Sequence, residues 1–215
     1  QADIYCFQEG GNKDWSAITK ALGGAKRWIS DNGNTAIVTD LEVIGKGSLG
    51  FGKTSNSCIY LDLKAGEQVF RVYNVHFQSN KISQKANQVV EEKRYNDKQL
   101  VKSILARYRK AVILRSAQVK KLRQHIDQCP YPVMVCGDFN DQPMSYVYKH
   151  LMDSGKLQDG FVERGSGIGT TYNGVIPALR IDYILADKQF ESLEYKRLKP
   201  TFSDHFAIFS TVQVE

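Results

Sequence analysis

Val133-Met134-Val135-Cys136-Gly137-Asp138-Phe139-Asn140-Asp141 is the stretch whose reading decides the fold. Four apolar residues run into a glycine, and an acid and an amide follow two residues apart. Preceded by Pro130 and Pro132, the apolar run is too short for a helix and reads as a buried strand. Gly137 lets the backbone turn where the strand ends. Residues two apart on an extended segment point to the same side, so Asp138 and Asn140 are expected to face one cleft. A carboxylate and an amide presented together suit a hard cation and a phosphate oxygen.

Outward from this strand, residues 3–7, 35–39, 58–63, 69–77, 180–186, 194–198 and 207–214 alternate or run apolar as strands. Helical spacing is found at 14–22, stopped by Gly23-Gly24, and at 145–152, with Pro143 and Ser145 near its start. A long polar-apolar segment fills 83–128. Within it Leu100, Ile104, Tyr108, Val112, Val119, Leu122 and Ile126 recur every three to four residues, as on an amphipathic helix. No internal repeat or low-complexity linker interrupts the chain. Residues 1–215 therefore read as a single domain, with 83–128 as a basic helical elaboration within it.

With 215 residues, 42% of them hydrophobic and 24% charged, the chain can bury a sizeable core of its own. No stretch approaches the length of a membrane span, and no charged-then-apolar leader is present. The chain opens directly on the strand-like Ile4-Tyr5-Cys6-Phe7, as a soluble piece of something longer would. Cys6, Cys58, Cys129 and Cys136 have neither CxxC spacing nor nearby histidines, so they read as small buried hydrophobes rather than metal ligands. The net charge of +6 belongs to one element. Between Glu91 and His125 eleven basic residues face three acids, while the remainder carries 18 basic against 20 acidic residues.

Five short strings place acids, amides or imidazoles where strands end: Phe7-Gln8-Glu9, Asn74-Val75-His76, Gly137-Asp138-Phe139-Asn140, Arg180-Ile181-Asp182-Tyr183-Ile184 and Ser203-Asp204-His205. Burying such groups costs free energy unless they are paired or bind an ion. Strands ending together would pool them at one edge of a sheet. A lone Glu9 would be an ordinary loop carboxylate, and a lone His76 a core histidine. Asp182 inside a strand is harder to accommodate without a partner. His125 and His150 lie on helical segments and read as structural.

In their order along the chain, QE, N-x-H, GDxN, D-Y-I and SDH, these strings resemble the endonuclease/exonuclease/phosphatase superfamily, the deoxyribonuclease-I-like metal-dependent phosphoesterases. Thr171-Tyr172 ahead of Arg180 is similar too. The resemblance implies an α/β fold, a four-layer sandwich of two packed mixed β-sheets with helices outside. It implies divalent-metal-dependent hydrolysis of a phosphodiester or phosphomonoester. Glu9 would hold Mg²⁺ or Mn²⁺ with help from Asp204. Asp138 would orient or deprotonate the attacking water, and Asn140 would hydrogen-bond the phosphate. Asp182 would orient His205, which stabilises the transition state or handles a proton. His76 would contact the phosphoryl oxygen or protonate the leaving group. Asn74, Tyr172 and Arg180 would bind substrate phosphate, with pairing to a neighbouring acid the other role open to Arg180. The family begins with a further strand carrying an Asn, which this chain is expected to lack.

Other readings compete. A catalytically silent module of the same fold would be expected to lose part of the set Glu9, Asp138, Asn140, Asp182 and His205. Gly47-Ser48-Leu49-Gly50-Phe51-Gly52-Lys53-Thr54 satisfies the P-loop pattern GxxxxGK[ST], which needs a helix after the lysine. The following residues 55–63 are strand-like, so a Gly-rich hairpin loop bordering the site is expected instead. The basic helix is either a solvated face or an attractor of an anionic surface, membrane or nucleic acid. A membrane anchor in a preceding region would favour the membrane. Nucleic acid, a phospholipid headgroup and an inositol phosphate all remain open as substrate.

Overall fold

Residues 2–11, 14–24, 26–29, 33–80, 97–174, 178–199 and 203–214 are described in the computed structural model. Their elements are β1 (Ile4–Gln8), α1 (Trp15–Ala21), β2 (Lys26–Ile29), β3 (Thr35–Thr39), β4 (Glu42–Leu49), β5 (Ser57–Ala65), β6 (Gln68–His76), α2 (Lys98–Asp127), β7 (Val133–Asp138), α3 (Tyr146–Met152), β8 (Leu157–Asp159), α4 (Gly160–Arg164), β9 (Asp182–Asp187), β10 (Glu191–Leu198) and β11 (Ala207–Gln213). β2, β4, β8 and α4 were not among the elements expected from sequence. Polar or glycine-rich strands and one-turn elements leave little periodicity to detect.

The central layer is a six-stranded sheet ordered β4-β5-β6-β7-β9-β8. It is mixed because β6 and β7 run parallel while its other neighbours are antiparallel. That parallel pair needs a crossover, and α2 lies within it. On one face, Tyr73, Val75, Val133, Val135 and Leu185 pack with Val119, Leu122 and Ile126 of α2 and with Val147 and Leu151 of α3. On the other, Ile59, Leu61, Val72 and Met134 meet Ile37 of β3, with Ile4, Cys6 and Val212 closing the edge. The second layer is accordingly β-sheet, as expected. Among the described residues it comes in two antiparallel pieces, β1-β3-β2 and β10-β11, rather than one mixed sheet.

α2 departs from its expected stripe. Its buried residues are Ala111, Arg115, Gln118, Val119, Leu122 and Ile126, and no residue of the helix before Ala111 is buried. Leu100, Ile104 and Val112 are half-buried, and Tyr108 is exposed. Among the described residues, it is the C-terminal half of the helix that packs into the core on the sheet. The part of the expected helical elaboration at 83–96 lies outside the described residues. No helix among the described residues is long and apolar enough to cross a membrane. All four cysteines are free, and Cys58 is fully buried.

Gly137 sits opposite Val75 on one side and Tyr183 on the other. With φ of +140°, a β-carbon there would lie 1.9 Å from the Val75 carbonyl oxygen. The close approach needs glycine. Gly137→Ala should therefore lower the unfolding free energy by roughly 3 kcal/mol in urea melts. Gly66→Ala, at φ +60° with nothing within 4 Å of the added carbon, should cost only about 1 kcal/mol. Equal losses at the two positions would contradict the close approach as the reason for Gly137.

Candidate active site

Register brings the strand-end groups together. His76 ends β6 opposite Asp138, which ends β7, and Asp138 lies opposite Asp182, which begins β9. Directly opposed residues on neighbouring strands share a face, so the three form one row. All are buried, at 3%, 6% and 8% exposure. Glu9 joins from the second layer, just past β1, with left-handed backbone (φ 55°) and an exposed carboxylate. Its Oε1 lies 3.7 Å from His76 Nε2, and Asp138 Oδ2 lies 3.6 Å from the same nitrogen.

Each member is braced. Asn140, also left-handed (φ 52°), donates its backbone N–H to Asp138 Oδ1 at 2.7 Å and its amide to Asp138 Oδ2 at 2.9 Å and the Phe77 carbonyl at 3.0 Å. Its amide is thus engaged with Asp138 and the Phe77 carbonyl, a use different from the phosphate contact expected from sequence. Thr171 Oγ1 accepts from the backbone N–H groups of Ile181 and Asp182 at 2.9 and 3.0 Å. Asp182 Oδ2 in turn bonds His205 Nδ1 at 2.9 Å. Tyr172 bridges His205 by backbone and sets its ring edge-on to the imidazole, centroids 5.2 Å apart. Asp204 is exposed beside His205, and its carbonyl accepts from Asn173 N–H at 2.7 Å.

Two expected phosphate binders are engaged elsewhere. Asn74 is fully buried and donates to the carbonyls of Phe7 and Ala36 at 2.9 and 2.8 Å, while Gln8 donates to its Oδ1 at 2.6 Å. It ties β6 to β1 and β3, joining the two layers. Arg180 is buried and bonds Asp159 Oδ2 at 2.6 Å among the rings of Tyr148, Phe161 and Tyr183. The acid pairing left open by the sequence is the one present. Asn34, by contrast, was missed: its Oδ1 lies 2.7 Å from His76 Nδ1. Forty-two positions separate them, and no local pattern links a loop amide to a strand-end histidine at that distance. The P-loop reading is overturned, because Lys53 is followed by β5 and no helix presents its N–H groups to a phosphate.

The electrostatics divide the two histidines. Burial, with the positive His205 nearby, lowers His76 to about 4. It is neutral at neutral pH, so its approaches to Glu9 and Asp138 are not ion pairs. Burial also disfavours a charged His205, but the hydrogen bond to Asp182 and the charges of Asp182, Asp138 and Asp204 outweigh it and push His205 up to about 9. Burial, then the Asp182 charge, raises Asp138 well above the usual carboxylate range against the opposing pull of His205 and the Asn140 N–H. A carboxylate of raised basicity beside a fixed imidazolium is a pairing that can take a proton and stabilise a developing anion.

A raised folded-state value means that the stability contributed by charged His205 is complete below the ordinary 6.5 and is lost as pH rises through about 9. In the metal-free protein, NMR titration should place His205 near 9, and Asp182→Asn should return it toward 6.5 while flattening the alkaline loss of stability. An unchanged titration in that variant would contradict the assigned cause.

A family model described as the Endonuclease/Exonuclease/phosphatase family matches residues 1–205. No curated protein matches the chain. Similar solved structures include the mannosyl-6-phosphatase of Bacteroides thetaiotaomicron VPI-5482, at 19% identity and TM-score 0.70 over 99% of this chain and 85% of that one. D. rerio TDP2 complexed with single strand DNA product gives 15% and 0.71 over 99% and 86%. Truncated Caenorhabditis elegans TDP2 gives 20% and 0.67 over 96% and 82%. At these identities the structural likeness speaks for the fold. The family model itself runs to His205, through every strand that lends the cluster a side chain, and the chain belongs to the endonuclease/exonuclease/phosphatase family.

Proposed function

We propose that the chain hydrolyses a phosphoester, diester or monoester, with a divalent cation and with Asp138, Asp182 and His205 as its central groups. The observation that carries this reading is the row of His76, Asp138 and Asp182 on three adjacent strands, joined by His205 through its Nδ1 bond to Asp182. Family membership supports the reaction class. A mannosyl-6-phosphatase and a protein solved with a single strand DNA product share the fold, and the first of these names refers to phosphoester chemistry.

The donor set fits Mg²⁺ or Mn²⁺ on two grounds. Asp138, Asp182 and Asp204 gather around the His205 imidazolium, and the carboxylates of Asp182 and Glu9 both push Asp138 upward, a repulsion that a cation relieves. His76 Nε2 is buried with no hydrogen-bond partner, beside two carboxylate oxygens. Glu9, with its open carboxylate, would hold the ion, and Asp204 would assist. The donor atoms of Asp138, Asp182 and His205 lie within 4.8 Å of one another, but an imidazolium has no lone pair to offer a metal. A bound ion would offset charge on the phosphate and on the leaving oxygen.

The chain's own groups account for the remaining work. Asp138, oriented by Asn140, takes a proton from the attacking water. His205 keeps Nδ1 on Asp182, which leaves Nε2–H to donate to a phosphate oxygen as negative charge develops there. Thr171 fixes Asp182 and thereby the ring. His76, kept neutral, gives its Nδ1–H to Asn34 Oδ1 and so offers an Nε2 lone pair that can accept a hydrogen bond from the attacking water.

Turnover of bis-p-nitrophenyl phosphate or p-nitrophenyl phosphate should require Mg²⁺ or Mn²⁺ and stop in EDTA. His205→Ala should lower kcat by roughly 10²-fold or more. Turnover indifferent to both EDTA and the substitution would sink the reading, and a folded protein with no turnover on either ester would favour a silent module.

A further inference from the structure

The Gly-rich loop and the basic helix meet in one cleft of about 930 Å³. The loop between β4 and β5 forms one wall and the face of α2 carrying Arg107, Lys110, Leu114, Gln118 and Lys121 forms the other. Those positions recur every three to four residues, so they share one side of the helix. The cleft shares Ser55 and Ser79 with a smaller one of about 350 Å³ lined by Glu9, Asn34 and His76. The two adjoin at those serines.

Its walls are fixed by hydrogen bonds. Lys121 Nζ donates to the Gly50 carbonyl at 2.6 Å, docking helix to loop. Gln118 Oε1 accepts from Gln78 N–H at 2.9 Å. Fully buried Arg115 donates to the Gln78 carbonyl at 2.8 Å and to Asn80 Oδ1 at 2.7 Å while its Nε meets Asp141 Oδ2 at 3.1 Å. Asn56 Nδ2 bonds the Phe77 carbonyl at 2.9 Å, the same oxygen that receives Asn140 of the active site. Loop, helix and catalytic row are thus one hydrogen-bonded assembly.

Its charge is one-sided. Lys53, Arg107, Lys110 and Lys121 line it, and no acid does among the described residues. Lys53, Arg107 and Lys110 are exposed and form no ion pair among the described residues. In this cleft, cations from two separate elements converge on a concave surface that adjoins the smaller cleft lined by Glu9 and His76. Phe51 and Leu114 supply apolar area beside them, and the volume is that of a small-molecule site.

We propose that this cleft binds a further phosphate of the substrate, carried on the group adjoining the scissile ester. The proposal rests on the phosphoesterase reading above. It assigns the lysine of the P-loop-like string a phosphate contact made by side chain, without a helix N-terminus. An oligonucleotide and a polyphosphorylated small molecule offer the same chemistry.

The test compares thymidine 5′-(p-nitrophenyl phosphate) with its 3′-phosphorylated counterpart, in Mg²⁺ or Mn²⁺. The extra phosphate should raise kcat/KM by roughly tenfold, less at high salt. Lys53→Ala/Lys110→Ala should bring that ratio close to unity, while Lys188→Ala, at the β9–β10 turn on the opposite edge, should retain it. Calorimetry in EDTA gives a readout free of turnover: thymidine 3′,5′-bisphosphate, oligothymidylate and inositol trisphosphate should bind more weakly to the double variant. Tighter binding of oligothymidylate or of inositol trisphosphate names the source. No preference for the second phosphate, or a preference and binding that survive the double substitution, would overturn the proposal. If neither ester turns over, the phosphoesterase reading fails by itself, and the calorimetry still decides the cleft.

Discussion

The site depends on one close approach. At Gly137 the backbone of β7 comes so near Val75 that no side chain fits between them. That contact lets β6 and β7 pair in parallel to their ends, with Phe77 N–H still bonded to the Asp138 carbonyl at 3.0 Å. From it follows the placement of His76 opposite Asp138, and of Asp138 opposite Asp182 on the far side. A slip of one residue would turn each of these side chains to the other face of the sheet. The hydrophobic layers above and below make such a slip costly, so the apolar core enforces the polar geometry.

Once gathered, the groups tune one another. Burial and the facing Asp182 charge make Asp138 resist ionisation, and that resistance supplies a basic carboxylate. The same carboxylates retain a proton on His205 against its burial, whereas His76, braced by Asn34 on the other side of the row, gives its proton up. Two histidines in one cleft therefore carry different charges at neutral pH. The difference comes from their neighbours, since the side chains are the same. Asn74, Asn140 and Thr171 do no chemistry in this scheme, and each holds a group or a strand that does.

How much of this the sequence made legible follows from where each partner lies in the chain. GDxN stands out because apolar strand and polar end are adjacent, and the SDH and D-Y-I strings share that property. Asn74 and His76 look equivalent in sequence, being two apart on one strand and on one face. Only the depth of packing separates them: Asn74 lies beneath β1 and β3, while His76 lies at the strand end. Arg180 reads as a phosphate binder until Asp159, twenty-one residues upstream, is brought against it. Asn34 and the joining of the Gly-rich loop to α2 are tertiary facts with no local trace. The amphipathic stripe of α2 predicts a buried face along its whole length, yet among the described residues its burial begins only at Ala111.

In the proposed chemistry this row directs a water at phosphorus, with Asp138 receiving its proton. A single turnover in oxygen-18 water, with enzyme in excess over bis-p-nitrophenyl phosphate and the product read by mass spectrometry, tests it most directly. Attack by water predicts one heavy oxygen in the phosphorus-containing product and none in the nitrophenol. A product carrying only ordinary oxygen after that first turnover would mean that an enzyme side chain, and not water, attacks phosphorus, and would contradict the role of Asp138 as the base.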